Sequence, residues 1–346
     1  GVTLPAYSNY PEILTAPDRD FKTQRGVTVM TTATSTLVAG VDYVAPSSNT
    51  SAFVRITDSN MTGSGRTTAG GGAQNADDIT VFLASSSNLM QGFTLNRPPT
   101  FGGNTRVTWE IVEFIGASGT DNEMIVRGLG TTTLVSASTT ATSTAFGSVV
   151  EDSDVVVFIT GIENRDLARN LYYAGQVTAE WSSTTNRVVL RRGAGGAIIN
   201  VSYAVVEFTG QNWRIQRSEH TYSSTTITET ETINPVNSLA RTFIHTQKRM
   251  TAQGNVNNFG HEVWLSSIGA VSFRLEPLAT VPAGHTSVAW IIENQQTSAG
   301  AMKVQRYNGT TDAGTEPVTI PISLFSPIDS MFNASIMLNN LSLIHI

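Results

Sequence analysis

Three stretches of the chain share one pattern of apolar and polar positions: Val107 to Arg127 (VTWEIVEFIGASGTDNEMIVR), Val201 to Arg217 (VSYAVVEFTGQNWRIQR) and Val288 to Arg306 (VAWIIENQQTSAGAMKVQR). Each opens with a dense apolar and aromatic run that closes on a glutamate, Glu113, Glu207 or Glu293. Each then crosses a polar or Gly-containing turn and leaves through a short alternating segment ending on an arginine, Arg127, Arg217 or Arg306. Short apolar runs bounded by turn residues predict strands, and two of them joined by such a turn predict a hairpin. The same hairpin is therefore expected three times.

Shorter strand patterns precede each copy in the same order. FVRIT, DITVFLAS and FTLNR come before the first, VVVFITG, QVTAEWSS and RVVLRR before the second, and RTFIHT, HEVWLSS and VSFRLEP before the third. Registering the copies on their glutamates brings Leu95, Leu190 and Leu275 into line within one residue. A repeat of roughly 90 residues is too long for a solenoid turn or a common propeller blade and suits a self-contained sandwich. The expected fold is all-β: tandem antiparallel β-sandwich domains in a repeat array. Trp290 falls one residue off the register of Trp109 and Tyr203, and a shift of one places a side chain on the other face of its strand.

The boundaries that follow are an extended arm over 1–26, sandwich repeats over 27–130, 131–217 and 218–309, and the start of a truncated fourth repeat over 310–340. The arm carries three prolines and no clear period, the mark of an irregular segment that could dock on a neighbouring subunit. IENRDLARNLYYAG and RTFIHTQKRMTAQGN are expected to form short helices or loops on a sandwich edge. TEPVTIPISLFSPIDSMFNASIMLNN resembles a stretch of the third repeat and then stops. The final LSLIHI reads either as an apolar strand or as the translation of a tagmentation-library adapter; the second is preferred, placing 341–346 outside the natural protein.

Composition narrows the function classes. The chain has no cysteine, so disulfides and Cys-ligated zinc are excluded. Charged residues make up 14%, against about 25% in ordinary soluble domains, and Thr, Ser, Asn and Gly take their place, a balance that favours strands and turns. A net charge of −6 with lysine only at 22, 248 and 303 argues against nucleic acid as a partner. No apolar run reaches the ~18 residues of a membrane helix, so membrane insertion is not expected.

Candidate chemistry is sparse. GSGRTTAGG lacks the Gly-Lys-Ser/Thr ending of a phosphate loop, the five histidines show no HxxxH or HExxH spacing, and no GxSxG elbow occurs. Neither a cofactor nor a metal is expected, and the chain is read as not an enzyme. Glu151, Asp152 and Asp154, and likewise Asp77 and Asp78, read as solvated strand-end carboxylates before they read as a calcium site. The pairs Glu113 with Arg127, Glu207 with Arg217 and Glu293 with Arg306 are expected to be structural cross-strand ion pairs, worth ~0.2–1 kcal/mol if exposed. A glycosidase would need two carboxylates flanking a bond. Core packing is the default for the tryptophans, and Trp213, after its Gly-Gln-Asn turn, is the candidate for an exposed sugar-stacking platform.

The VVEF, Gly210 and WRIQR elements of the second copy resemble repeats in virion structural proteins of tailed marine bacteriophages, such as head fibres, decoration proteins and tail-associated proteins. That resemblance implies a protein of the virion or the extracellular space that builds or decorates a particle, with copies of itself or other virion proteins as partners. Two other classes stay open: a carbohydrate- or receptor-binding fibre module contacting a surface glycan, and a β-modular polysaccharide depolymerase.

Overall fold

The computed structural model describes residues 20–62, 80–99, 103–147, 149, 151–164, 175–223, 228–251, 260–276 and 284–297. Expectations for the arm before residue 20, for most of IENRDLARNLYYAG, for Asp77 and Asp78, for Arg306 and for residues 310–346 lie outside the described residues.

The protein is all-β, built from repeated sandwich-like units of six strands. Unit 1 holds β1 (Phe21–Met30), β2 (Thr34–Val38), β3 (Ala52–Thr62), β4 (Thr80–Ser85), β5 (Gly92–Asn96) and β6 (Asn104–Phe114). Unit 2 holds β7 (Ile125–Leu134), β8 (Thr140–Thr142), β9 (Val155–Asn164), β10 (Val177–Ser182), β11 (Arg187–Arg192) and β12 (Ile199–Glu207). Unit 3 holds β13 (Trp213–Thr221), β14 (Thr228–Thr232), β15 (Thr242–Arg249), β16 (Gly260–Ser267), β17 (Ala270–Glu276) and β18 (Thr286–Asn294). Within every unit the sixth strand lies between the first and the third, and the fifth between the second and the fourth. All these ladders are antiparallel.

Three sequence expectations are corrected. The first two strand–turn–strand motifs are not hairpins, and the exit of the third lies outside the described residues: β6 pairs with β1 and β3, while the segment after its turn, β7, pairs with β12. Likewise β13 pairs with β18 and not with β12. The motif is the hand-over from one unit to the next, so the boundaries after 26, 130 and 217 each fall inside a strand, β1, β7 and β13. RTFIHTQKRMTAQGN is also not helical: after a single 3-10 turn at Leu239–Arg241 it runs as β15. Turn chemistry is legible locally, but the partner of a strand is set by contacts about 40–90 residues away, where packing decides.

Each unit encloses its own core. Val54, Leu83, Leu95 and Trp109 belong to that of unit 1, Ala179, Leu190, Val205 and Tyr203 to that of unit 2, and Val263, Phe273, Ala289 and Ile291 to that of unit 3. The tryptophan register is resolved as well. β18 carries no bulge, and Trp290 faces away from its unit's core while Ala289 takes the inward position beside it. One residue of offset has changed the face, as the period of two requires.

The outward faces of the β1-β6-β3, β7-β12-β9 and β13-β18-β15 sheets meet in a fourth, shared core. Phe53 and Phe114 come from unit 1, Val156, Phe158 and Val206 from unit 2, and Val288, Trp290 and Ile292 from unit 3. This explains why the sixth strands read as continuous apolar runs: both of their faces are covered. The units are also joined edge to edge, since β4 of unit 1 pairs with β9 of unit 2 through Thr80 and Val81, making one six-stranded sheet. That approach needs Gly161, because a Cβ there would lie 2.9 Å from the Val81 carbonyl oxygen and the Phe82 Cα.

Candidate functional site: the convergence of the three units

The repeated glutamates occupy one structural position. Glu113 lies opposite Lys22 and Ala52, Glu207 opposite Ile125 and Val155, and Glu293 opposite Arg214 and Thr242, each time at the first residue of the unit's third strand. All three are buried, at 2%, 1% and 0% exposure. Their neighbours Val206 and Ile292 belong to the shared core and Val112 packs against it, so the carboxylates turn to the other face, as alternation along a strand demands.

Each carboxylate accepts hydrogen bonds from the loop that leads into the third strand of its own unit. Glu113 Oε1 accepts from the Ser47 backbone N–H at 2.6 Å and from the Ser47 hydroxyl at 2.8 Å. Glu207 Oε1 accepts from the Glu151 N–H at 3.0 Å, and Glu293 Oε1 from the Asn237 and Ser238 N–H groups at 2.6 and 3.0 Å. The repeated glutamate is therefore a loop latch: a buried carboxylate held by backbone N–H groups of the loop that leads into its unit's third strand.

Of the expected ion pairs, Glu113 with Arg127 and Glu207 with Arg217 are not the ones formed, and Glu293 with Arg306 lies outside the described residues. Arg127 does pair with a repeated glutamate, but with Glu207 of unit 2, at 2.5 Å. It is the extra residue of a bulge in β7, between the partners of Val205 and Val206, and the bulge re-aims its side chain. Arg217 pairs with Glu219 at 2.5 Å and lies 5.6 Å over the Trp290 ring. Lys22 stands 4.0 Å from Glu113. Arg214, opposite Glu293, donates instead to the Pro235 carbonyl, and Glu293 Oε2 meets no donor among the described residues. Trp213, the candidate platform, is half-buried: it packs against the shared core, with T-shaped contacts to Phe21 at 5.8 Å and Phe208 at 4.9 Å.

Two clusters at the convergence escape a reading of the sequence. In the first, Glu110, 1% exposed, takes Arg25 and Arg55, each at 2.8 Å, from the strands on either side. Units 2 and 3 place Ala204 and Trp290 in line with it, so no repeat drew attention to it. In the second, the Asn122 side chain gathers the places where the chain enters or leaves the units. Its Nδ2 donates to Asp20 and Gln296 at 2.6 and 2.7 Å, and its Oδ1 accepts from Asn212 and Asn294 at 2.9 and 3.0 Å. A lone asparagine in a polar turn carries no signal of this kind.

No protein-family model matches the chain, and no curated protein matches it at a significant level. The geometry of the convergence therefore stands by itself, and its ionisable groups are already engaged with one another or with the backbone. Glu151 and Asp154 both lie within reach of the Ser153 hydroxyl, at 3.3 and 3.4 Å, while Asp152 accepts instead from the Trp181 indole at 3.0 Å; burial raises the Asp154 pKa, helped by Glu151 and Glu207. Among the described residues no cluster of three His, Asp or Glu side chains is placed to hold a metal, and no helix is long and apolar enough to cross a membrane.

Two histidines of unit 3 make folding pH-dependent. Burial, with Arg55 adding to it, pushes His245 down to about 3; its ring lies 4.8 Å from that of Phe158 in unit 2. Burial, with Lys248 adding to it, pushes His285 down to about 4. Both are neutral in the fold, while in the unfolded chain they take up protons below about 6.5, so acid favours unfolding. The loss sets in as pH falls through 6.5 and grows until the folded values are reached. Urea titrations at pH 7 and pH 5 are expected to differ by about 2 kcal/mol per histidine, and His245→Leu to remove its share of that difference. An unchanged difference in His245→Leu would contradict the assignment.

Proposed function

We propose that this protein is a non-enzymatic structural component of a phage particle, a decoration, fibre or tail-associated protein, that works by assembly. The observation that carries the reading is the serial hand-over of strands. Units 2 and 3 each open with a strand delivered directly from the unit before, and the fourth strands of units 1 and 2 are completed by the next unit. Leu83 of β4 has its N–H accepted by the Ser202 hydroxyl at 3.1 Å and its carbonyl bonded by Thr131 at 2.9 Å. Ala179 of β10 donates to the Gln247 side chain of unit 3 at 2.8 Å, and Gln247 in turn bonds the Val157 carbonyl. Carboxylates spent on latching loops, with hydroxyl-rich outer strands, suit a protein whose work is to hold a shape. The phage assignment itself rests on the resemblance of the VVEF and WRIQR elements. Mass spectrometry of purified virions from the source community should find the protein at structural copy number; its absence from particles would contradict the proposal.

Glycan binding is the second reading. A concavity of about 330 Å³ where units 1 and 2 join favours it, lined by Asn96, Arg97, Glu163 and Asn200 with Phe82. Such planar polar groups beside a ring suit sugar hydroxyls. Among the described residues Glu163 is the carboxylate that lines that concavity, and a retaining or inverting depolymerase would use a pair. Binding on a glycan array that is lost in Asn200→Ala would promote this reading over the first.

A further inference from the structure

The two junctions between successive units differ in chemistry. Units 1 and 2 share a backbone ladder at Thr80 and Val81, and the Ser202 and Thr131 hydroxyls hold Leu83, groups that do not titrate near neutral pH. Units 2 and 3 meet instead through side chains of β15, which lies in a different sheet from β9 and β10. Gln247 Oε1 accepts from the Ala179 N–H of β10 at 2.8 Å, its Nε2 donates to the Val157 carbonyl of β9 at 2.7 Å, and Arg249 donates to the Thr178 hydroxyl at 3.1 Å.

Both partners of Gln247 are backbone groups, one a donor and one an acceptor, so its amide has a single orientation. Two residues away on the same face of β15, His245 brings its Nε2 to 3.3 Å from Gln247 Nε2. The second amide hydrogen of Gln247 can bond there only to a lone pair, which assigns the proton of the neutral ring to Nδ1. A further proton would enter on Nε2 and set N–H against N–H.

The surroundings of His245 do not welcome that charge. From unit 1, Arg55 of β3 and Arg25 of β1 flank Glu110 of β6, and the Arg55 charge acts on the ring. Across β18, where Trp290 stands opposite His245, Arg217 of β13 and Arg249 of β15 flank Glu219. From unit 2, β9 presents the Phe158 ring at 4.8 Å, and β10 presents Ala179 and Thr178, all uncharged. Among the described residues no carboxylate bonds to His245 itself, whereas His220 of the same unit has Glu231 at 2.8 Å.

We propose that proton uptake by His245 releases β15 of unit 3 from β9 and β10 of unit 2, a local opening that precedes the unfolding of either unit. Release frees Gln247 from the N–H opposed to it and gives the imidazolium water. Linkage fixes the direction: the ring titrates at about 6.5 once released and at about 3 while enclosed, so opening becomes easier as pH falls below 6.5. From pH 7 to pH 5 the opening constant should rise about 25-fold. The inference concerns the junction alone and does not rest on the assembly reading.

The Ala179 amide reports the opening directly, because its hydrogen bond crosses the junction. Hydrogen exchange of the parent chain, followed by nuclear magnetic resonance and expressed as protection relative to the unstructured rate at each pH, is expected to show Ala179 about 25-fold less protected at pH 5 than at pH 7. Phe273, at the centre of unit 3's core, should stay better protected than Ala179 at both values, since only unfolding of the unit exposes it. In His245→Leu, and in His245→Phe, which keeps a ring against Phe158, the pH dependence at Ala179 is expected to vanish while circular dichroism at pH 7 stays that of the parent. Ala179 protection that is unchanged between pH 7 and pH 5, that equals that of Phe273, or that falls equally in a folded His245 variant would each overturn the local opening. The parent measurement decides by itself should both variants fail to fold.

Discussion

Val206→Asp is expected to abolish the folded state of all three units, not of unit 2 alone. Val206 is fully buried in the shared core, among Phe53 of unit 1, Phe158 and Phe208 of its own unit, and Trp290 and Ile292 of unit 3. A carboxylate placed there has no cation or donor arranged for it, and the cost of an unpaired buried charge exceeds about 4 kcal/mol, much of the stability of an ordinary domain. Each unit has its own tryptophan reporter, Trp109, Trp181 and Trp264, so variants that keep one of them at a time would follow the units separately. Val206→Ala, which leaves only a small cavity, should cost ~1–3 kcal/mol and shift the three transitions together. If unit 3 melts normally while unit 2 is unfolded, the shared core does not couple them.

Glu207→Ala should carry the second-largest penalty, about 3–5 kcal/mol, because it strips the partner from a partly buried Arg127 guanidinium and from the Glu151 N–H at once. Glu293→Ala should cost less, since among the described residues no cation contacts that carboxylate and its partners are the Asn237 and Ser238 N–H groups. The ordering is the test, read from urea midpoints at a common slope. Were the repeated glutamates exposed hairpin-end ion pairs, as the sequence suggested, both substitutions would fall below about 1 kcal/mol.

How much was legible follows from which forces are local. Alternation of apolar and polar residues is written into a strand a few residues long, so nearly every central strand was placed correctly, including FVRIT, VVVFITG, RVVLRR and VSFRLEP. Repetition exposed the unit, and the alignment of the glutamates put them at one position in three sheets. The polar outer strands were harder. β8, with the sequence TAT, buries almost nothing, and β1 begins among residues that read as an arm. The Trp290 offset was visible as an anomaly, and only the shared core explains it, since a second apolar environment awaits on the outer face.

By itself, then, the sequence determined that this is a repeated all-β chain and that Glu113, Glu207 and Glu293 are structural counterparts. Which strand each segment pairs with was decided by the tertiary structure, and so were the partner of Arg127, the packing of Trp213 against the shared core and the gathering of three other chain segments on Asn122. The reason is physical: strand propensity is a property of neighbours in sequence, whereas pairing and burial depend on segments far apart in the chain. A strand such as β7, continuous in sequence with unit 1, gains its hydrogen bonds and its buried area only when β12 is there to meet it.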